Sequence, residues 1–269
     1  MATPSVGIVI PARYASSRYP GKPLAPIRGA TGLSKTLIER SWLAAGAVPD
    51  VDAIWVATDD DRIATAARAF GAAVLMTPES CRNGTERCAA AIAQLSQPPE
   101  ILINLQGDAL LTPPDIITTL IAKMRDDYEV SVATPAVRCT PSLYRHLVED
   151  QAQGRVGGTT VVFDRRGHAL YFSKRVIPHL PLDYPVESGV PVHLHMGVYA
   201  YRPAALERYM SAEPSLLEGL EGLEQLRFLD IGVPLAAVLC EAPGWDVIEL
   251  NNPSDLAPIE ETLKARSIE

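Results

Sequence analysis

The chain has 269 residues, of which 47% are hydrophobic and 21% are charged, a balance typical of globular proteins and one that excludes disordered, collagen-like and coiled-coil chains. Its formal net charge of −8 argues against duplex nucleic acid as a partner, because an acidic surface repels a polyanion. No apolar run reaches the roughly 18 residues that a membrane span needs, so we expect no membrane segment.

The cysteines indicate reduced thiols. Cys81, Cys88, Cys139 and Cys240 show no C-x-x-C spacing and lie among ordinary apolar residues, so neither a zinc site nor a disulfide framework is predicted. The first residues lead into a strand-like run without the charged segment of a secretory signal. We therefore expect a cytoplasmic protein.

Strand-like and helix-like segments alternate regularly through the first half of the chain. Short apolar runs predict buried strands at residues 6–10, 53–57, 73–76, 101–105 and 130–133. Apolar residues at helical spacing predict helices at residues 33–46, 61–70, 85–95 and 113–124. Crossovers this regular imply an α/β fold with a doubly wound, mostly parallel sheet.

The pattern changes at residues 135–201, where prolines separate short β-like runs. Two of these runs, at 159–163 and 169–172, flank Arg165-Arg166-Gly167, which predicts a hairpin turn. We interpret 135–201 as a small β-rich insertion, of the kind that commonly forms a substrate lid or a subunit contact. Helices are predicted again at 203–210, 216–229 and 253–265, with a strand at 235–239. Residues 1–269 are thus expected to form one domain.

A basic loop follows the first strand directly, from Pro11 to Leu24. Small residues such as Ala12 and Ser17 let backbone N–H groups approach a polyphosphate, and Arg13, Arg18 and Lys22 can neutralise phosphate charge. Because ligands of such sheets bind at the carboxyl ends of the strands, we predict nucleotide binding here. The loop matches neither the P-loop nor the dinucleotide-binding pattern. The alternative is a solvated surface turn.

Several motifs, in this order, resemble those of the 3-deoxy-D-manno-octulosonate cytidylyltransferases, or CMP-Kdo synthetases. The resemblance covers nearly the whole chain, in the motifs P-A-R-Y-A-S-S-R-Y-P-G-K-P-L at 11–24, A-T-D-D at 57–60, N-G-T-E-R at 83–87, N-L-Q-G-D at 104–108, A-L-Y-F-S-K at 169–174, H-M-G-V-Y-A-Y-R at 195–202 and L-E-Q-L-R at 223–227. It implies an α/β fold of the nucleotide-diphospho-sugar transferase type. The implied activity joins CTP to an acidic 3-deoxy-2-ulosonic sugar with Mg²⁺ and releases pyrophosphate. The resemblance also implies a homodimer, with residues 135–201 used for sugar binding and dimerisation.

The resemblance assigns roles around the strand at 101–105. Asp108 ends that strand in a short turn, where a carboxylate would face the crevice and hold Mg²⁺ against phosphate oxygens; the alternative is an acid near a helix N-terminus. Gln106 is implied as a sugar contact. In the N-G-T-E-R motif, Thr85 is predicted to cap a helix while Arg87 projects toward the crevice to meet a carboxylate; the alternative for Arg87 is a solvated side chain.

Further sugar contacts are implied in the second half. His195, Tyr199 and Tyr201 alternate along a strand-like run, which places the three rings on one face, and the resemblance favours His195 and Tyr199 over a purely structural role. On the predicted helix 216–229, Glu221 and Gln225 share a face. The resemblance favours Glu224 and Gln225 as sugar contacts over an acidic solvated face.

Three parts of the sequence depart from the family pattern. Ala109-Leu110 follow Q-G-D where the family has Glu-Pro. Asn251 stands where the family has its second metal ligand, an Asp; an Asn carbonyl oxygen can coordinate Mg²⁺ but carries no formal charge, so Glu249 or Asp246 is an alternative source of charge. Residues 157–160 read Gly-Gly-Thr-Thr where the family carries an Asn and a Lys.

The leading hypothesis is a Mg²⁺-dependent cytidylyltransferase. Arg13 and Lys22 hold the triphosphate, Asp108 and Asn251 hold the metal, and the residues listed above hold the sugar, with positioning and charge neutralisation supplying most of the catalysis. The nucleotide site is expected to comprise Pro11, Ala12, Arg13, Ser17 and Lys22. Two alternatives stay open: the same reaction on another acidic sugar, and a nucleotide-binding or regulatory protein that has lost turnover.

Overall fold

A computed structural model describes residues 3–15, 19–245 and 247–269. Its strands are β1 Val6–Ala12, β2 Pro26–Arg28, β3 Ser34–Thr36, β4 Ala53–Thr58, β5 Ala73–Met76, β6 Ile101–Leu105, β7 Val132–Arg138, β8 Thr159–Phe163, β9 Ala169–Ser173, β10 His193–His195, β11 Val198–Tyr201 and β12 Leu235–Cys240. Its α-helices are α1 Leu37–Gly46, α2 Asp61–Ala69, α3 Gly84–Ile92, α4 Pro114–Asp126, α5 Pro141–Ala152, α6 Pro203–Met210, α7 Leu216–Glu221, α8 Leu226–Asp230 and α9 Leu256–Ala265.

Within these ranges, ten strands form one mixed sheet in the order β5-β4-β1-β6-β11-β7-β10-β8-β9, with β12 paired to β7, and β2 and β3 form a separate hairpin. The pairings β5-β4-β1-β6 and β7-β12 are parallel, whereas β11 runs antiparallel between β6 and β7. Most strands therefore share one direction, which confirms the predicted α/β fold with a mostly parallel sheet.

Alternating side chains of the buried strands build one apolar core on each face of the sheet. Ile8 and Ile10 belong to the core that packs against α1, α2 and α4. Val9 points to the opposite core, which includes residues of α3 and α6. Because β1 is buried on both faces along its whole length, it reads as a continuous apolar run rather than an alternating one.

The segment 135–201 is interwoven with the main sheet. Strands β10 and β11 pair with β7 on either side of residues 196–197, and β10 also pairs with β8. The predicted turn at Gly167 joins β8 to β9, and its backbone returns to β12, where Ala237 N–H donates to the Gly167 carbonyl at 2.8 Å. The sequence pattern did not indicate α5, whose first residue Pro141 follows the cap Thr140.

Two predicted helices differ from those observed. Helix α1 begins at Leu37, after the cap Thr36, and Leu33 lies before it and is 57% exposed. The predicted helix 216–229 is divided into α7 and α8, because Gly222 adopts a left-handed conformation with φ of 60° that ends α7. Glu221, Glu224 and Gln225 therefore do not share one helix, and the prediction that Glu221 and Gln225 lie on a common helical face is wrong.

No helix within the described ranges is both long enough and apolar enough to span a lipid bilayer.

Candidate active site

A cleft with a volume of about 320 Å³ opens where β1 and β6 end and α3 begins. Its described lining residues are Pro11, Ala12, Arg13, Lys22, Pro23, Leu37, Cys81, Arg82, Asn83, Gly84, Arg87, Gln106, Gly107, Asp108 and Asn251. These include eight of the site residues proposed above. Ser17 and Arg18 lie outside the described residues. Four cations and a single carboxylate line this part of the cleft, although the chain as a whole is acidic.

Close backbone packing brings the basic loop and the Asp108 turn together. A Cβ atom on Gly107 would lie only 2.8 Å from the Pro11 carbonyl oxygen, so only glycine allows the two strand ends to approach this closely. The Ser41 hydroxyl of α1 donates to the Gly107 carbonyl at 2.8 Å and so fixes the position of the turn. Asp108 therefore projects into the cleft beside the end of β1.

Lys22 and Asp108 form an ion pair across the cleft. Lys22 lies in a short 3₁₀ turn that follows Gly21, whose left-handed φ of 70° lets the chain bend. Gly21 N–H donates to the Tyr14 carbonyl at 3.0 Å, and the Tyr14 ring packs 3.3 Å from the Arg62 guanidinium carbon. The described parts of the basic loop are thus braced against α2.

An apolar cluster near the carboxyl end of the chain brings Asn251 to the cleft that Asp108 also lines. Leu110, Leu111 and Leu250 are buried with Ile259 and Leu263 of α9, and Leu250 N–H approaches the Asp108 carbonyl at 3.4 Å. The positions where the family has Glu-Pro are therefore apolar core in this chain, because they anchor the segment that carries Asn251.

Asp108 and Asn251 offer the donors that a magnesium ion needs. Both residues line the cleft, and carboxylate and amide oxygens are hard ligands that suit Mg²⁺, which commonly takes one or two protein ligands and completes its shell with phosphate and water. Glu249 lies nearby, with Oε2 at 3.5 Å from Asn251 Nδ2. The two residues therefore fit the implied metal. Asp246, the other candidate source of charge, lies outside the described residues.

The N-terminus of α3 forms the opposite wall. Its cap is Asn83, whose side chain accepts from Glu86 N–H at 2.9 Å, so the prediction of Thr85 as the cap is wrong. Instead, the Thr85 hydroxyl donates to Glu224 at 3.2 Å and Gly84 N–H donates to the same carboxylate at 3.0 Å. A Cβ on Gly84 would lie 2.7 Å from Gln106 Nε2, so Gln106 packs directly on this helix end.

Glu224 is half-buried between α7 and α8. Burial raises the pKa of its carboxyl group to about 7, although the bonds from Thr85 and Gly84 favour the ionised form. The group therefore changes charge near neutral pH.

Tyr199 and Gln225 form a buried pair behind Glu224. The Tyr199 hydroxyl donates to Gln225 Oε1 at 3.0 Å, and the two side chains are 3% and 1% exposed. Gln225 Nε2 is a buried donor without a hydrogen-bond partner among the described residues. Such a group is costly unless a ligand or water satisfies it.

His195 is enclosed by other rings and is not among the described residues that line the cleft. Its Nε2 shares a hydrogen bond of 2.9 Å with Thr134 Oγ1, and its ring packs edge-on to Phe172 and beside Tyr199. Burial lowers the pKa of His195 to about 3, so the ring is neutral. His195 and Tyr199 lie on two strands, β10 and β11, rather than on one continuous strand, yet their rings remain neighbours.

Arg87 lines the cleft and pairs with a carboxylate of the protein itself, and its contact with the sugar stays a prediction. Its guanidinium is 3% exposed and donates to Asp59 at 3.1 Å and to the Thr77 hydroxyl at 2.5 Å. The solvated alternative for Arg87 is therefore wrong. Sequence reasoning assigned no role to Asp59, Arg82 or Asn83. Two signals in the sequence could have identified two of them. The A-T-D-D motif at a strand end contains Asp59, and the N-G-T-E segment begins with Asn83 in the position of a helix cap.

Comparison with known proteins places the chain among enzymes of one kind. A family model described as cytidylyltransferase matches residues 7–235. A 3-deoxy-manno-octulosonate cytidylyltransferase from Maricaulis maris is 43% identical over 97% of this chain and 98% of the relative. A mitochondrial protein of that name from Arabidopsis thaliana is 36% identical over 97% of this chain and 83% of the relative.

Solved structures agree with these sequence matches. The structure of CMP:2-keto-3-deoxy-manno-octonic acid synthetase complexed with CTP matches with a TM-score of 0.81 and 34% identity, covering 98% of this chain and 100% of that one. This match confirms the implied fold type. A 4-diphosphocytidyl-2C-methyl-D-erythritol synthase from Anaerococcus prevotii matches with a TM-score of 0.60 at 12% identity over 98% of this chain and 100% of that one, so the likeness concerns the fold alone.

The raised pKa of Glu224 predicts a pH-dependent contribution to stability. Between the ordinary carboxyl pKa of 4.5 and the folded value of about 7, the folded state binds a proton that the unfolded state has released, so the contribution is complete below that window and is lost as pH rises through it. Glu224→Gln removes this titration. We expect its stability relative to wild type to increase from pH 4.5 to pH 7.5, as measured by urea unfolding. A difference independent of pH would contradict the assignment.

Proposed function

This chain belongs to the cytidylyltransferase family, and we propose that it transfers the CMP group of CTP to 3-deoxy-manno-octulosonate and releases pyrophosphate. The observation that carries the proposal is the composition of the cleft. On a protein with a net charge of −8, the described cleft lining carries four cations and one carboxylate, and two of the cations, Arg82 and Arg87, are paired with the acidic side chains Glu86 and Asp59 outside that lining. Such a site suits a triphosphate and an acidic sugar. The named relatives support the same pair of substrates.

The reaction is an in-line displacement at the α-phosphorus of CTP. The anomeric hydroxyl of the sugar forms the new P–O bond, its proton is released, and the bond to the β-phosphate breaks so that pyrophosphate leaves. Positioning and electrostatic stabilisation supply most of the rate enhancement in phosphoryl transfer of this kind. The chain therefore needs to orient two anions and neutralise their charge.

Arg13 and Lys22 are proposed to bind the triphosphate. Both line the cleft at the end of β1, where cations can stabilise charge that develops on the phosphate oxygens and on the leaving pyrophosphate. Lys22 forms an ion pair with Asp108, and we expect the phosphate oxygens of CTP to compete with that carboxylate for the Lys22 ammonium group. Pro11, Ala12 and Ser17 belong to the proposed nucleotide loop.

Asp108 and Asn251 are proposed to hold Mg²⁺. When bound, the ion neutralises phosphate charge and polarises the phosphoryl oxygens. Asp108 supplies the formal charge in this pair, and Asn251 supplies a neutral carbonyl oxygen.

The sugar is proposed to bind on the α3 side of the cleft. Gln106 packs on the N-terminus of α3 and offers both a donor and an acceptor. Glu224 can accept from sugar hydroxyls, and the buried Gln225 amide, oriented by Tyr199, has a donor available. Arg87 adds a positively charged side chain to this part of the cleft, and its bonds to Asp59 and Thr77 orient the guanidinium group. His195, enclosed behind Tyr199, supports these residues rather than meeting the sugar directly.

We also propose a cytoplasmic homodimer assembled through residues 135–201. The resemblance to the family supports the dimer, and the segment exposes apolar side chains that a subunit contact would bury: Val156, Leu170 and Leu182 are 59%, 62% and 108% exposed. Light scattering is expected to give about twice the chain mass of 29.0 kDa. A mass equal to one chain would contradict the dimer.

The direct test of function is pyrophosphate release from CTP with Mg²⁺ over a panel of ulosonic acids. We expect release with 3-deoxy-manno-octulosonate and a loss of at least about a hundredfold in Asp108→Ala, because removing one preorganised charge at a phosphoryl-transfer site typically costs that much. The exposed Asp115 on α4 provides the matched control, Asp115→Ala, which is expected to retain activity. CTP binding without release for every sugar would instead support a binding protein.

Asn251→Asp tests the metal pair. An added carboxylate strengthens Mg²⁺ binding, so we expect activity at limiting Mg²⁺ to rise severalfold and activity at saturating Mg²⁺ to change little, in a titration of rate against Mg²⁺. The control is Gln153→Glu, which adds the same charge on an exposed residue after α5. A loss of activity at all Mg²⁺ concentrations would show that the site requires a neutral ligand at this position.

A further inference from the structure

Arg227 of the L-E-Q-L-R motif is a buried cation to which the proposed reaction assigns no task. It is 1% exposed. Its Nε donates to Glu218 Oε2 at 2.7 Å, and its Nη2 donates to Glu218 Oε1 at 2.5 Å and to Glu86 Oε1 at 3.1 Å. The guanidinium carbon lies 4.0 Å from the centre of the Tyr209 ring. A buried positive charge is tolerated only when nearby carboxylates and hydrogen bonds compensate it, as they do here.

One partner of Arg227 belongs to the helix end that forms the cleft wall. Glu86 lies in the first turn of α3, where its backbone N–H is bonded to the cap Asn83. Its carboxylate also accepts from Arg82 N–H at 2.8 Å. Arg82 and Asn83 both line the cleft. The buried pair of Arg227 and Glu86 therefore acts on the residues that begin α3.

The ring beneath Arg227 reaches the proposed sugar contacts. The Tyr209 hydroxyl accepts from Asn83 Nδ2 at 3.0 Å and donates to the Glu224 carbonyl at 3.2 Å. Arg227 itself follows Glu224 and Gln225 by three and two residues. The cluster of Arg227, Glu86, Glu218 and Tyr209, called the arginine clamp below, thus joins α3, α6, α7 and α8 around the segment that carries Glu224.

We propose that Arg227 is a positioning residue for the acceptor sugar: the arginine clamp fixes the N-terminus of α3 against residues 222–225 and so sets the place of Glu224 and Gln225 in the cleft. This inference rests on the proposed function. The clamp shares no element with Arg13 or Lys22, which precede α1. Its loosening is therefore expected to affect the sugar more than CTP.

Lysine cannot replace arginine in this clamp. The guanidinium presents donors in a rigid plane that serves two carboxylates and stacks on a ring, whereas an ammonium group is a compact charge that does not. Arg227→Lys thus keeps the buried charge while removing the fixed geometry. Arg202 provides a control of the same residue type, although it is only partly buried: it donates to the Val130 and Met124 carbonyls and lies 5.0 Å from the Tyr128 ring centre, and none of these contacts involves a clamp residue.

The first measurement is steady-state kinetics on the full chain with each substrate varied in turn. For Arg227→Lys we expect the KM for the sugar to rise about tenfold while the KM for CTP stays within about twofold, since lost positioning of one substrate appears in that substrate's binding. Arg202→Lys is expected to leave both KM values unchanged. Equal changes in both KM values, or a lower melting temperature with neither KM changed, would overturn the proposal.

Tyr209→Phe gives an independent test, because it keeps the ring under Arg227 and removes only the hydroxyl that joins Asn83 to Glu224. It is expected to raise the KM for the sugar in the same direction. The double variant with Arg227→Lys is expected to show less than the product of the two single effects, because both changes loosen the same clamp. Fully multiplicative effects would contradict a common clamp.

Amide hydrogen exchange separates this inference from the proposed function, because it needs no substrate. In Arg227→Lys we expect faster exchange at residues 84–86 and 222–225 and unchanged exchange at residues 7–12. Unchanged exchange at the first two segments would overturn the clamp even if the enzyme is active. Faster exchange there without sugar-dependent pyrophosphate release in wild type would instead support the clamp and refute the function on which its role rests.

Discussion

The close approach of Gly107 to the Pro11 carbonyl is the constraint on which the cleft depends. Two parallel strands, β1 and β6, end side by side, and the absence of a side chain on Gly107 lets the turn after β6 fold over the end of β1. That approach places Asp108 opposite Lys22. Without it, the basic loop and the carboxylate would belong to separate turns rather than to one site.

The site is organised by ion pairs of increasing burial. Lys22 and Asp108 meet in the partly open cleft, Arg87 is held by Asp59 at its floor, and Arg227 is enclosed between Glu86 and Glu218 behind the wall. The side chains of the open pair are 16% and 20% exposed, so the pair is accessible from the cleft. Separating the enclosed pairs would cost much more free energy, since an uncompensated buried charge is strongly destabilising.

The sequence predicted most of the strands and the charged residues that follow them at the edge of the sheet. Regular alternation of apolar runs established the α/β fold, and basic or acidic residues directly after β1 and β6 identified Arg13, Lys22 and Asp108 as cleft residues. Resemblance to a family added Asn251, which follows no local pattern and is brought to the cleft by the packing of Leu110, Leu250 and Leu263. Local periodicity failed where tertiary contacts decide the backbone, as at Gly222, whose left-handed conformation divides a predicted helix.

By itself, the sequence determined the class of fold, the side of the sheet that carries the site and the charge of the loop that lines it. Each of these depends on neighbouring residues, through strand and helix periodicity and through the rule that ligands bind at strand carboxyl ends. Only the tertiary structure decided that Thr85 serves Glu224 rather than the helix cap, that His195 is enclosed and neutral, and that Arg227 links α3 to residues 222–225. These outcomes depend on burial and on contacts between residues far apart in the chain, which no local pattern encodes.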